Sequence, residues 1–143
     1  MSSVFKRLRK ETNIQFLKTA WDLQFELTKY MMKEKNVPKK WRFVIAQGII
    51  NKVDELVDNL EYANCIYPQT KEDFEIRRKY QTAAIANVWQ LQNKIVRMIE
   101  CVETVKIDNL SKVIELLESE EALIKKWKKS DKEKEKKLFA EHS

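Results

Sequence analysis

Residues 13–34 read NIQFLKTAWDLQFELTKYMMKE, and this stretch decides the fold class. At about 100° per residue its apolar side chains fall on two helical stripes roughly 140° apart. The stripes are Phe16, Ala20, Leu23, Leu27 and Tyr30 on one side, and Ile14, Leu17, Trp21, Phe25, Thr28 and Met32 on the other. A helix that packs on one core needs only about 100° of apolar surface. The width therefore predicts two apolar neighbours for this helix, one of them from another subunit.

Three more amphipathic helices are predicted downstream, over residues 38–64, 71–103 and 110–128. Pro38 suits a first helical position, because no N–H is needed there. Thr70 and Asp73 have the spacing of a capping box, and Asp108 is the expected cap of the last helix. Four amphipathic helices with short connections favour an all-α, up-down antiparallel four-helix bundle.

Outside the bundle, assigned to residues 13–128, the sequence predicts a basic N-terminal arm (1–12) and a mixed-charge flexible tail (129–143), which is either a frayed helix or a disordered segment. There is no apolar run of transmembrane length and no apolar segment typical of a signal peptide. Cys65 and Cys101 are far apart in sequence and are expected to be buried, reduced thiols. These features predict a cytoplasmic protein with no membrane partner.

The composition excludes several function classes. One glycine and two prolines are too few for the turns of a β-sandwich or barrel. The only histidine is His142, which argues against histidine-based catalysis, most zinc sites and a bundle di-metal centre. Gly48 alone cannot form a phosphate-binding loop. We therefore expect a binding protein that is not an enzyme and that uses no cofactor or metal.

Charge is segregated along the chain, whose formal net charge is +6. Residues 33–42 carry +4 and residues 100–124 carry −5, while no acidic residue occurs between Arg77 and Ile99. Cations bind phosphate at any sequence. The candidate nucleic-acid-binding residues are Lys39, Lys40, Arg42, Arg77, Arg78, Lys79, Lys94 and Arg97. A solvated helix face, or a face packed on another subunit, would also account for the acid-free stretch.

Trp41 lies among cations, away from the apolar stripe of its predicted helix. We expect it to be exposed, where it would stack on a base or anchor a partner protein. The other three tryptophans, one on each remaining predicted helix, are expected to pack in the core or in an interface.

Several segments resemble a known family of small bacterial four-helix-bundle proteins. They are Leu-Thr-Lys-Tyr at 27–30, Val-Pro-Lys-Lys-Trp-Arg-Phe at 37–43, Leu-Glu-Tyr-Ala-Asn at 60–64, and a second half that ends Lys-Lys-Trp-Lys-Lys-Ser at 125–130. That family includes proteins encoded in intervening sequences of ribosomal RNA genes and the accessory variability proteins of diversity-generating retroelements. The Lys-Lys-Trp-Arg-Phe start of the second helix favours the retroelement group.

The resemblance implies a homopentameric barrel that is not itself an enzyme. It implies a reverse transcriptase and a template RNA, or its RNA/cDNA product, as partners in mutagenic cDNA synthesis. The alternative is a ribosomal-RNA-associated or otherwise uncharacterised oligomeric bundle of the same fold. The acidic stretch 100–124 departs from a uniformly basic surface.

Overall fold

The computed structural model describes residues 14–140, where all regular structure is helical. Its four α-helices are α1 (Gln15–Met32), α2 (Gln47–Cys65), α3 (Lys71–Cys101) and α4 (Ser111–Ala140). Two 3-10 helices, Lys39–Trp41 and Ile107–Leu110, and a π-helical turn, Arg42–Ala46, precede α2 and α4. The predicted N-terminal arm, residues 1–12, lies outside the described residues, as do residues 13 and 141–143.

The four helices close into a bundle in which each contacts two neighbours. α1 packs on α2 and α4, and α3 packs on the same two helices. Neighbouring helices are antiparallel, because the contacts between them pair rising residue numbers on one helix with falling numbers on the other. Between α2 and α3 the contacts are Asn59 with Asn87 and Tyr62 with Tyr80. Between α3 and α4 they are Gln81 with Asp131 and Trp89 with Glu121, and between α1 and α4 they are Phe16 with Trp127 and Glu26 with Lys112. The all-α prediction is confirmed, with the architecture of a four-helix bundle.

The core is built from apolar side chains at helical spacing on all four helices. Its largest fully buried members include Leu23, Leu27, Ile49, Leu56, Leu60, Leu91, Met98 and Ile124. Only part of the wide apolar arc of α1 is used within the chain, because Phe25 is 60% exposed and Met32 is 74% exposed. Both neighbours of α1 in the bundle, α2 and α4, belong to the same chain, so a neighbour from another subunit stays a prediction for the exposed Phe25 and Met32.

The start of α2 differs from a simple proline-initiated helix. Pro38 has an extended backbone (φ −55°, ψ 150°) and precedes the 3-10 helix, and the π-helical turn follows. This irregular entry turns Phe43 outwards, where it is 81% exposed, together with Val44. Trp41 instead packs partly buried against the core, so the prediction that it is exposed is wrong.

The predicted capping box of α3 is confirmed. The amide of Asp73 donates to Thr70 Oγ1 (3.1 Å), and the amide of Thr70 donates to Asp73 Oδ2 (3.1 Å). The Asp73 carboxylate also accepts from the Gln69 amide, and these backbone bonds lower its pKa. The cap predicted at Asp108 is wrong, because Asp108 lies inside the 3-10 helix that precedes α4.

The predicted flexible tail is wrong for residues 129–140, which form the last three turns of α4. This segment packs on the first turns of α3: Phe139 meets Phe74 edge-on (centroids 6.2 Å apart), and the Asp131 side chain is buried.

The burial predicted for Cys65 and Cys101 is also wrong, since both thiols are exposed at the ends of α2 and α3. Within residues 14–140, no helix is both long enough and apolar enough to cross a membrane.

Candidate nucleic-acid interface

A groove of about 1150 Å³ runs between α3 and the second half of α4. Pockets for small molecules usually measure about 300–1,000 Å³, so its size suits an extended ligand. It is lined by Ile85, Ala86 and Trp89 from α3 and by Phe139 from α4. Seven cationic side chains and one carboxylate line it: Lys71, Arg78, Lys125, Lys128, Lys129, Lys132, Lys136 and Glu135.

Five of these cations form a lysine stripe along α4, defined as Lys125, Lys128, Lys129, Lys132 and Lys136. Their spacing places them within about 100° on one helix face, over a length of about 16 Å. Three pairs are four residues apart, and each such like-charge pair costs about 0.2–0.5 kcal/mol. A bound polyanion would relieve this repulsion.

Arg77 lies outside the groove and holds α4 in place. Its Nε is 2.8 Å from Asp131 Oδ2, Nη1 donates to the carbonyl of Ile66 (3.1 Å), and the guanidinium lies 4.7 Å from the centre of the Trp127 ring. The side chain is only 12% exposed, and this burial lowers the pKa of the guanidinium, while Asp131 opposes the shift. Because its guanidinium is buried and paired within the fold, Arg77 is not a phosphate contact, and the prediction that it is one is wrong.

Arg78, one of the candidate phosphate contacts predicted from the sequence, does line the groove. It forms an ion pair with Glu135, the one carboxylate among the lining residues. This pairing neutralises the group that would most repel an anion. The groove therefore presents a large excess of positive charge along α4.

Trp89 also lines the groove, and it is 50% exposed. Its indole N–H donates to the carboxylate of Glu121. Lys125 Nζ lies 3.2 Å from Glu121 Oε1 and 5.7 Å from the centre of the indole ring. The indole hydrogen bond and the nearby ammonium lower the pKa of Glu121, which is therefore ionised at neutral pH and fixes the ring.

The remaining candidates on α3 have different surroundings. Lys79 and Arg97 are exposed, and neither lines the groove. Lys94 is half-buried, and its Nζ lies 3.8 Å from where a Cβ on Gly48 would stand. The acid-free stretch is thus divided between an outer face and the contact with α2, where Asn87 is buried and accepts a hydrogen bond from Asn59.

Lys39, Lys40 and Arg42 are exposed at the start of α2, in a second basic surface that does not line the groove. Lys40 Nζ lies 5.6 Å from the centre of the Trp41 ring. The exposed aromatic beside these cations is Phe43 rather than Trp41. The sequence analysis missed Phe43 because the π-helical turn, which changes the facing of these side chains, has no signal in the sequence.

The lysine stripe was also missed, although its spacing is visible in the sequence. Three of its five residues, Lys129, Lys132 and Lys136, were assigned to a flexible tail, in which no helical face is expected. The spacing of Lys125, Lys128, Lys129, Lys132 and Lys136 at i, i+3, i+4, i+7 and i+11 is the signal that could have identified it.

Glu120 is the most perturbed acid in the described part of the chain. It is fully buried on the core face of α4, between Leu117 and Ile124, and neither carboxyl oxygen has a hydrogen-bond partner. Burial raises its pKa to about 9, so the carboxyl is neutral at pH 7. It contributes no charge to the groove.

Across residues 14–140, no three His, Cys, Asp or Glu side chains are grouped so that they could hold a metal ion.

No known protein family, curated protein or solved structure matches the chain.

Proposed function

We propose that the chain is a non-catalytic accessory subunit of a diversity-generating retroelement that binds template RNA and the reverse transcriptase. The observation that carries the RNA-binding part is the lysine stripe of α4 along the groove. The retroelement part rests on the resemblance of roughly residues 14–130 to the accessory proteins. Phosphate neutralisation by such a stripe releases counterions and gives affinity without sequence preference.

The surface that we propose for the polymerase is the start of α2. Phe43 and Val44 are exposed there beside Lys39, Lys40 and Arg42. Exposed aromatic side chains with neighbouring arginine are typical anchors of protein interfaces. Co-purification with a co-expressed retroelement reverse transcriptase tests the assignment, and Phe43→Ala is expected to weaken it.

A homopentamer is the proposed assembly, with Phe25 and Met32 of α1 in contact with a second copy. Both side chains are exposed on the apolar arc that the chain leaves uncovered. Light scattering should give about five times the mass of the chain. A monomer at micromolar concentration would contradict both the assembly and the retroelement assignment.

RNA binding is tested by fluorescence anisotropy with a labelled oligonucleotide at several salt concentrations. Lys129→Gln with Lys132→Gln should weaken binding about tenfold and lower the slope of log affinity against log salt by about 1 to 2. The matched control is Lys18→Gln with Lys106→Gln, which removes the same charge from exposed positions outside the groove.

Equal effects of the two double variants would place the binding surface elsewhere. If the gene has no neighbouring reverse transcriptase but the RNA binding holds, the ribosomal-RNA-associated alternative is favoured. Lys94→Gln with Arg97→Gln tests the outer face of α3 in the same assay.

A further inference from the structure

We propose that the groove between α3 and α4 takes a single strand of RNA, one base of which stacks on Trp89. This inference rests on the proposed RNA-binding function and specifies the form of nucleic acid and the residue that recognises it. It concerns Trp89, which the sequence analysis assigned to core or interface packing.

Trp89 is built as a fixed aromatic surface. A large aromatic side chain normally buries most of its area, yet half of this one is in contact with solvent. Its orientation is nevertheless set by the hydrogen bond to Glu121 and by Lys125 beside the ring. A ring that is already ordered loses little conformational freedom when a flat ligand stacks on it.

The groove around Trp89 offers the two kinds of surface that a single strand needs, one for its phosphates and one for its bases. The lysine stripe of α4 provides a cationic track for phosphates on one wall. Ile85, Ala86 and Trp89, which line the same groove from α3, provide apolar surface for bases. A cationic groove combined with exposed aromatic rings is the usual arrangement of proteins that bind single strands without sequence preference.

A duplex fits this arrangement less well. Its bases are already stacked on one another, so a duplex offers phosphates to the lysines but no base to Trp89. An acidic peptide would likewise satisfy the charges and leave the indole without a stacking partner. The half-exposed, oriented ring therefore favours the single strand over both.

The test compares three labelled probes of equal length by fluorescence anisotropy: a ten-nucleotide RNA, the abasic analogue that keeps the phosphates but lacks bases, and the RNA duplex. Trp89→Ala should weaken binding of the single strand at least about fivefold, since stacking on an aromatic side chain is worth about that much or more per base. Affinity for the abasic strand and for the duplex should change less than about twofold.

Two further variants keep the result interpretable. Trp89→Phe retains an aromatic ring and should keep most of the single-strand affinity. Tyr67→Ala removes another exposed aromatic side chain, which does not line the groove, and should change nothing. Circular dichroism melting confirms that each variant folds.

Unchanged single-strand binding in Trp89→Ala, or an equal loss for all three probes, would overturn the inference. The inference would also be overturned if polyglutamate competed with labelled RNA as strongly as unlabelled RNA does, and if Trp89→Ala weakened the binding of both competitors. These outcomes differ from failure of the proposed function, in which the native protein binds none of the three probes.

Discussion

Replacing Glu120 with Gln should stabilise the protein, by an amount that grows with pH. The carboxyl is fully buried without a hydrogen-bond partner, and burial raises its pKa to about 9 from the usual 4.5. Between these two values the folded state keeps a proton that the unfolded state releases. The free energy of unfolding of the native protein therefore falls as pH rises from about 5 to 9.

The magnitude follows from the shift. Each pH unit within that window changes the free energy of unfolding by up to about 1.4 kcal/mol. At pH 7 the retained proton costs about 3 kcal/mol, and at pH 5 it costs less than about 1 kcal/mol. Gln has nearly the same shape and also leaves its polar atoms unpartnered, but it never ionises. Glu120→Gln should thus gain about 3 kcal/mol at pH 7 and under about 1 kcal/mol at pH 5.

Urea unfolding followed by circular dichroism at pH 5, 6, 7 and 8 measures this difference at fixed protein concentration. Glu118→Gln is the matched control, because Glu118 is exposed on the same helix and its change should stay within about 0.5 kcal/mol. A stability difference between Glu120→Gln and the native protein that does not vary with pH would refute the reasoning. It would mean that the carboxyl is ionised in the folded state.

Four further variants test the packing by urea unfolding at pH 7. Asp131→Ala should cost about 3–5 kcal/mol, because it leaves the buried guanidinium of Arg77 without its partner, whereas the double variant Arg77→Met/Asp131→Leu should recover most of that loss. Thr70→Ala should cost about 1 kcal/mol through loss of the capping box of α3, and a loss below about 0.3 kcal/mol would contradict that role. Gly48→Ala should gain up to about 1 kcal/mol, since the new methyl would meet only the mobile end of Lys94 at 3.8 Å, and destabilisation would show a closer helix approach than the structure has.

The position of the candidate site was only partly predictable. The acid-free stretch drew attention to α3, and one of its candidates, Arg78, lines the groove. The lysine stripe became a surface only because residues 129–140 are helical. That helix is held by Asp131 against Arg77 and Gln81, and by Glu135 against Arg78. These pairs join residues about 50 positions apart, and single-sequence reasoning has no way to see them.

By itself the sequence determined the helical class, the number of long helices and the start of α3. Apolar periodicity and the Thr70–Asp73 box act over a few residues, so they can be seen without knowledge of the neighbours. Only the tertiary structure decided that Arg77 is buried, that Phe43 rather than Trp41 is exposed, and that α4 continues to Ala140. The physical reason is that a charged side chain has the same local pattern on a solvated face as in a buried ion pair. Which of the two it adopts depends on the opposite charge that folding brings to it.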